Sequence, residues 1–184
     1  MGTVDAIPAR SLTQLLVSKF DDVWSRQRGR LVGLTQEEYL WEPVPDCWTV
    51  SSHDGRWHVA ARQRPDPVPA PVTTIAWRLW HIASDCLADY TIRGLGPRPF
   101  AVSDTEWYGH VDEALAALDR AWTAFRAGIE ALGDDGMWSP LGPEWGPYAP
   151  EPWAALVVHA LDEVAHHGAE IGLLRDLYAH RPAR

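Results

Sequence analysis

Apolar residues return at spacings of three and four along four long stretches of the chain, the period of a helix that buries one face. The first stretch holds Leu12, Leu15, Leu16, Phe20, Val23, Trp24 and Leu31, and Ser11 with Gln14 forms a capping box ahead of it, so a helix is predicted over 11–33. After the Pro69-Ala70-Pro71 break, Thr73 and Thr74 can cap a second helix over 74–93, which Gly94 and Gly96 stop. Val111, Leu115, Leu118, Trp122, Phe125, Ile129 and Leu132 define a third helix, with Gly133 just past its end. Pro152 sits in the first turn of a fourth, whose seam of Trp153, Val157, Ala160, Val164, His167, Ile171, Leu174 and Tyr178 runs up to Arg181-Pro182.

Between the first two helices the pattern breaks down. Thr35 with Glu38 is another capping box, but Pro43 and Pro45 limit it to about two turns. From Trp41 to Pro71 no period is visible, and about thirty structureless residues inside a domain usually serve a function or conceal an element. Here the segment is either a plain crossover or one that contains a short hairpin around His53-Asp54-Gly55. With no other strand pattern and no repeat, the expectation is an all-α single domain over 1–184. It is a four-helix bundle of up-down-down-up order, with a long crossover between the first two helices.

Composition narrows the partners. With 46% hydrophobic and 22% charged residues the chain can bury a core of its own. It carries 16 Lys and Arg against 25 Asp and Glu, a formal charge of −9, and its nearest approach to a basic stripe is the scattered Arg26, Arg28 and Arg30. Nucleic acid is therefore not an expected partner. No apolar run reaches the roughly 20 residues of a membrane span and the first residues lack a secretion profile, so a soluble, cytoplasmic protein is expected. Cys47 and Cys86 make neither a disulfide framework nor a metal knuckle and read as reduced packing residues. Eleven tryptophans supply unusual apolar area. Of these, Trp48, Trp57 and Trp145 lie in loop-like stretches and are expected either to line a pocket or to cap the bundle end or a homodimer contact.

The chemistry concentrates on the fourth helix, in His159-Ala-Leu-Asp162-Glu163-Val-Ala-His166-His167. At about 100° per residue, His167 falls on the apolar seam and Glu163 at its edge, about 60° from centre, whereas His159 and His166 turn to the flank. A carboxylate and an imidazole four residues apart at a core edge need partners. Either they share a metal, or Glu163 pairs with an arginine and His167 is a hydrogen-bonded core histidine. On the second helix, His81 points roughly opposite the main stripe of Ile75, Leu79, Ile82, Ala83, Cys86, Leu87 and Tyr90, and periodicity alone leaves it at the surface.

Trp77-Arg78-Leu79-Trp80-His81-Ile82-Ala83, taken with Glu163-Val-Ala-His166-His167-Gly-Ala-Glu170-Ile171, resembles the DinB/YfiT-like superfamily of metal-dependent enzymes over nearly the whole chain. The resemblance implies a four-helix bundle whose metal is held by one histidine of the second helix and a His/Glu-x-x-x-His pair of the last. Those positions are His81, Glu163 and His167 here. Glutamate at the first position of the pair is similar to the mycothiol-dependent maleylpyruvate isomerase branch. Two imidazoles and one carboxylate leave a coordination position open, as in catalytic zinc sites, although nickel, manganese or iron accept the same donors.

What the family implies is transfer or isomerisation that uses a low-molecular-weight thiol such as mycothiol, acting on a small-molecule substrate. A divalent cation would favour the thiolate of a group whose pKa is near 8.5. No protein nucleophile is then required, and Asp85 and Asp162 are either ligand-orienting partners or solvated side chains. The competing expectation is a non-enzymatic bundle that keeps a metal or small ligand for stability.

Overall fold

The computed structural model describes residues 11–60, 67–103 and 105–182, and it is mostly helical. In chain order the elements are α1 (Leu12–Leu31), α2 (Gln36–Tyr39), β1 (Val50–His53), β2 (Arg56–Val59), α3 (Ile75–Trp80), a π-helical stretch (His81–Ala88), α4 (Asp89–Ile92), α5 (Val111–Met137), a 3₁₀ turn (Pro143–Tyr148) and α6 (Trp153–Ala179). The hydroxyls read as caps do cap: Ser11 accepts from the Gln14 amide, Thr35 from Glu38 and Thr74 from Trp77. Gly133 takes φ +62° where the third predicted helix ends, and the helix resumes beyond it for one further turn. That turn places Asp134 so that its carboxylate accepts from the backbone N–H groups of Leu12 and Thr13, giving α1 a second cap from across the fold.

The long segment between the first two predicted helices does contain the hairpin. β1 and β2 pair antiparallel with His53 opposite Arg56, so Asp54 and Gly55 form a two-residue turn, and both take positive φ. This is the left-handed geometry that matches strand twist. The hairpin is tied into the fold by backbone bonds from Trp48 to Val72, from Thr74 to Trp48 and from Trp107 to Trp57. Of the two alternatives left open for this segment the structure takes the hairpin; four-residue strands are too short to show a period.

Pairwise contacts fix how the long helices run. Against α5, α1 is antiparallel: Leu12 and Thr13 meet Asp134, Asp21 meets Arg126 and Arg28 meets Asp119. Against α6 it is parallel, with Gln27 on Gly168 and Arg30 bonded to the Gly172 carbonyl. The α3 helix and its π continuation run antiparallel to α6, where Arg78 meets Glu170 and His81 meets Glu163. The core between them holds Phe20, Leu79, Ile82, Leu87, Leu118, Phe125, Ile129, Val164 and Ile171, all fully buried. Trp122 stacks on both Phe20 and Trp24, each at 4.5 Å between ring centroids. Burying each such side chain contributes roughly 1.5–3 kcal/mol.

The second predicted helix is not a regular α-helix. From His81 to Ala88 it is π-helical, and nearly every residue from Ile75 to Ala88 is buried. His81, which an α-helical wheel leaves on the outer face, is 8% exposed. The stretch has no single outer face, because it packs between α5 and α6 and the wider π turn rotates the register.

Candidate metal centre

His81, Glu163 and His167 meet on one carboxylate oxygen. Nε2 of His81 and Nε2 of His167 each stand 3.0 Å from Glu163 Oε2, and the two imidazole centroids are 4.6 Å apart, edge to face. The histidine on the helix preceding α5 and the pair on α6 are thus brought together although 82 residues separate them in sequence. The i, i+4 spacing on α6 puts Glu163 and His167 one above the other, and the antiparallel run of the π stretch slides His81 between them.

Each imidazole is held from behind by a carboxylate. His81 Nδ1 donates to Asp85 Oδ2 at 2.9 Å, and His167 Nδ1 donates to Glu170 Oε2 at 2.7 Å. Glu170 in turn is 2.8 Å from Nε of Arg78, whose guanidinium also lies over the Trp77 ring. At 3.0 Å each Nε2 donates to Glu163 Oε2 when its ring is protonated; in a neutral ring whose Nδ1–H is held by the carboxylate behind it, Nε2 carries a bare lone pair instead. Three acceptors at such separations repel unless a proton or cation lies among them, so the donor set suits a divalent metal.

Protons on the two imidazoles can play the part a cation would. Hydrogen bonds from His167 and then His81 hold the Glu163 carboxyl well below the usual range, against the opposing effect of burial. Burial works against the charged form of His81, but the bonds to Asp85 and Glu163 outweigh it and raise the imidazole above its ordinary value. For Glu170, burial pushes up while His167 and Arg78 pull down more strongly, and the carboxyl ends below its ordinary value.

The three donors stand at the wall of a cavity of about 790 Å³. Trp48, Trp77, Trp145 and Tyr148 supply its rings, and Arg78, Asp85, Asp89 and Arg93 its charges. Trp48 and Trp145 thus take the pocket-lining alternative. Trp57 does not: half-buried on β2, its indole packs against Gly109, where an added Cβ would lie 2.0 Å from the ring, and against the edge of the core. Asp162 and His166 are exposed, while His159, expected on the flank, lines the cavity and has Nε2 3.7 Å from Glu163 Oε1.

Two residues escaped the sequence reading. Glu170 is three residues from His167, a helical neighbour that spacing alone identifies. Cys86, read as packing, has Sγ 3.7 Å from Glu163 Oε2 and 3.9 Å from His81 Nε2. Five residues after His81, it would be about 140° away on an α-helix. Only the π turn brings it round.

The sequence model of the DinB superfamily matches residues 19–171, which span every residue of the cluster. Among solved structures, one described as the conserved protein of a locus from Enterococcus faecalis is similar over 94% of this chain and 100% of that one, at 15% identity and a TM-score of 0.56. At that identity it speaks to the fold alone. No curated protein matches the sequence. Among the described residues, no helix is long and apolar enough to cross a membrane.

Proposed function

Because the chain belongs to the DinB superfamily, we propose that it is a divalent-metal-dependent enzyme in which His81, Glu163 and His167 hold the metal and a low-molecular-weight thiol of the mycothiol type is the cosubstrate. The observation that carries this reading is the convergence of two Nε2 atoms on one carboxylate oxygen at the wall of a large cavity, with both Nδ1 atoms tied to carboxylates. The reading takes the long helices as an up-down-down-up bundle, supported by the antiparallel α1–α5 and α3–α6 pairs and the parallel α1–α6 pair.

When bound, the cation would supply positive charge that favours the thiolate of a group otherwise mostly protonated near neutral pH. The chain's own residues do the rest. Asp85 and Glu170 fix the tautomer and tilt of the two imidazoles, so that Nε2 remains the donor atom. Trp48, Trp77 and Trp145 offer flat apolar walls for the body of an organic substrate and shed the water around it. Arg93, stacked over Trp145 at 5.2 Å and paired with Asp89, places a cation on the same wall, suited to an anionic group of the substrate or thiol.

The test is conjugation of a thiol to a fluorogenic electrophile by zinc-loaded protein, with apoprotein and His167→Ala beside it. Turnover by the loaded protein alone is expected. Equal rates in all three would reject the thiol-transfer reading. Tryptophan emission that responds to thiol only in loaded protein would support thiol binding at the metal.

A further inference from the structure

We infer that Cys86 is a fourth donor to the metal, so that the centre is a two-histidine, glutamate and cysteinate set. This rests on the metal-site reading above and extends it to a residue that a His/Glu/His site does not include.

The spacing of the sulfur from two of the three donors is that of ligands around one ion. Metal–nitrogen and metal–oxygen bonds of about 2.0–2.2 Å and a metal–sulfur bond of about 2.3 Å give tetrahedral edges of about 3.5 Å between sulfur and its neighbours. Sγ of Cys86 stands 3.7 Å from Glu163 Oε2 and 3.9 Å from His81 Nε2. Closing to the ideal edge takes a few tenths of an ångström, well within a χ1 adjustment. The His81–Glu163 separation of 3.0 Å needs to open by a similar amount.

Burial supports the same conclusion. Cys86 is 3% exposed and His81 8%, and the sulfur sits at the inner wall of the cavity beside the imidazole, the carboxylate and Tyr90. A cysteine kept only to fill space would be expected among apolar side chains. This one points at the atoms proposed to bind a cation. The π-helical stretch is what puts it there, since His81 and Cys86, five residues apart, share a face only in a π turn. Such turns cost hydrogen-bond geometry and recur at functional sites. Binding would break the S–H bond, form a metal–sulfur bond and release the proton to solvent.

A thiolate donor changes which ion is preferred: sulfur favours zinc or cobalt over manganese or magnesium, which prefer oxygen.

The experiment is titration of Co²⁺ into apoprotein, followed by absorption spectroscopy on the wild type, Cys86→Ser, Cys86→Ala and, as a control, Cys47→Ser. The expected result is a near-ultraviolet sulfur-to-cobalt charge-transfer band in the wild type and Cys47→Ser. Both Cys86 variants should lack that band while keeping the visible d–d bands, and zinc affinity should fall by at least tenfold in them. Visible d–d bands without a charge-transfer band in the wild type, or a band that survives in the Cys86 variants, would overturn the inference and leave the three-residue site standing. Absence of any cobalt spectrum in the wild type would overturn both. The wild-type spectrum decides even if a variant fails to fold.

Discussion

Asp85 grips the imidazole of His81 at Nδ1, 2.9 Å away and one turn further along the same helix, so the opposite nitrogen is left facing Glu163. A carboxylate in that position raises the basicity of the ring and fixes its orientation, and loss of such a partner typically weakens metal affinity about 10–100-fold. Asp85→Asn is expected to weaken zinc binding within that range, measured by competition with a chromophoric chelator. Helical content should be unchanged. Full retention of affinity would show that the ring is oriented by packing against Trp77, whose ring stacks on it at 5.4 Å.

Arg175 and Glu38 make a second, structural pair. Glu38 is 5% exposed, and its two carboxylate oxygens receive Nε at 2.7 Å and a terminal nitrogen at 3.2 Å from Arg175. The remaining nitrogen donates to the carbonyls of Arg30 and Val32 at the end of α1. Removing the arginine strands a buried carboxylate, so Arg175→Met is expected to cost about 3–5 kcal/mol in urea unfolding. Glu38→Leu combined with Arg175→Met should recover much of that loss. Metal content should not change in either protein.

Asp134 gives a pH signature. Its carboxyl is held below the ordinary value chiefly by the Thr13 backbone N–H. A lowered folded-state pKa stabilises the fold at pH above the unfolded value of about 3.9, and the contribution fades as pH falls through the folded value. The melting-temperature gap between wild type and Asp134→Ala should therefore be full near neutrality and shrink below pH about 4. A gap that grows on acidification would contradict the capping role.

Much of this was legible in the sequence, and what was not has specific physical causes. Helices such as α5 and α6 bury one continuous stripe, so their period and caps are plain: Val111 to Ile129 and Trp153 to Leu174 read correctly. Glu163 and His167 fell on the inner side for the same reason. His81 did not, because its helix is buried on more than one side and changes pitch at His81 itself, and a wheel assumes neither. Cys86 was hidden by that same change of pitch. Trp57 and Trp145 look alike in sequence, both set in loop-like stretches among glycine and charge. Only the tertiary fit of Trp57 against Gly109 separates a core ring from a cavity wall.

Stability should depend little on the site. The aromatic stack of Trp24, Trp122 and Phe20 and the buried aliphatic seams lie outside the cluster, so removing metal subtracts only the mass-action contribution of binding. After chelation the far-ultraviolet circular dichroism is expected to keep its helical form while the melting temperature falls by an amount that grows with the logarithm of zinc affinity. Collapse of the helical signal would make the centre a structural one.

The most direct measurement is the metal-to-protein ratio of purified wild type, His81→Ala and His167→Ala, by elemental analysis after exhaustive dialysis against zinc-containing and then metal-free buffer. One divalent ion per chain is expected in the wild type and almost none in either variant, with all three proteins folded by circular dichroism. An unchanged ratio in both variants would contradict that expectation.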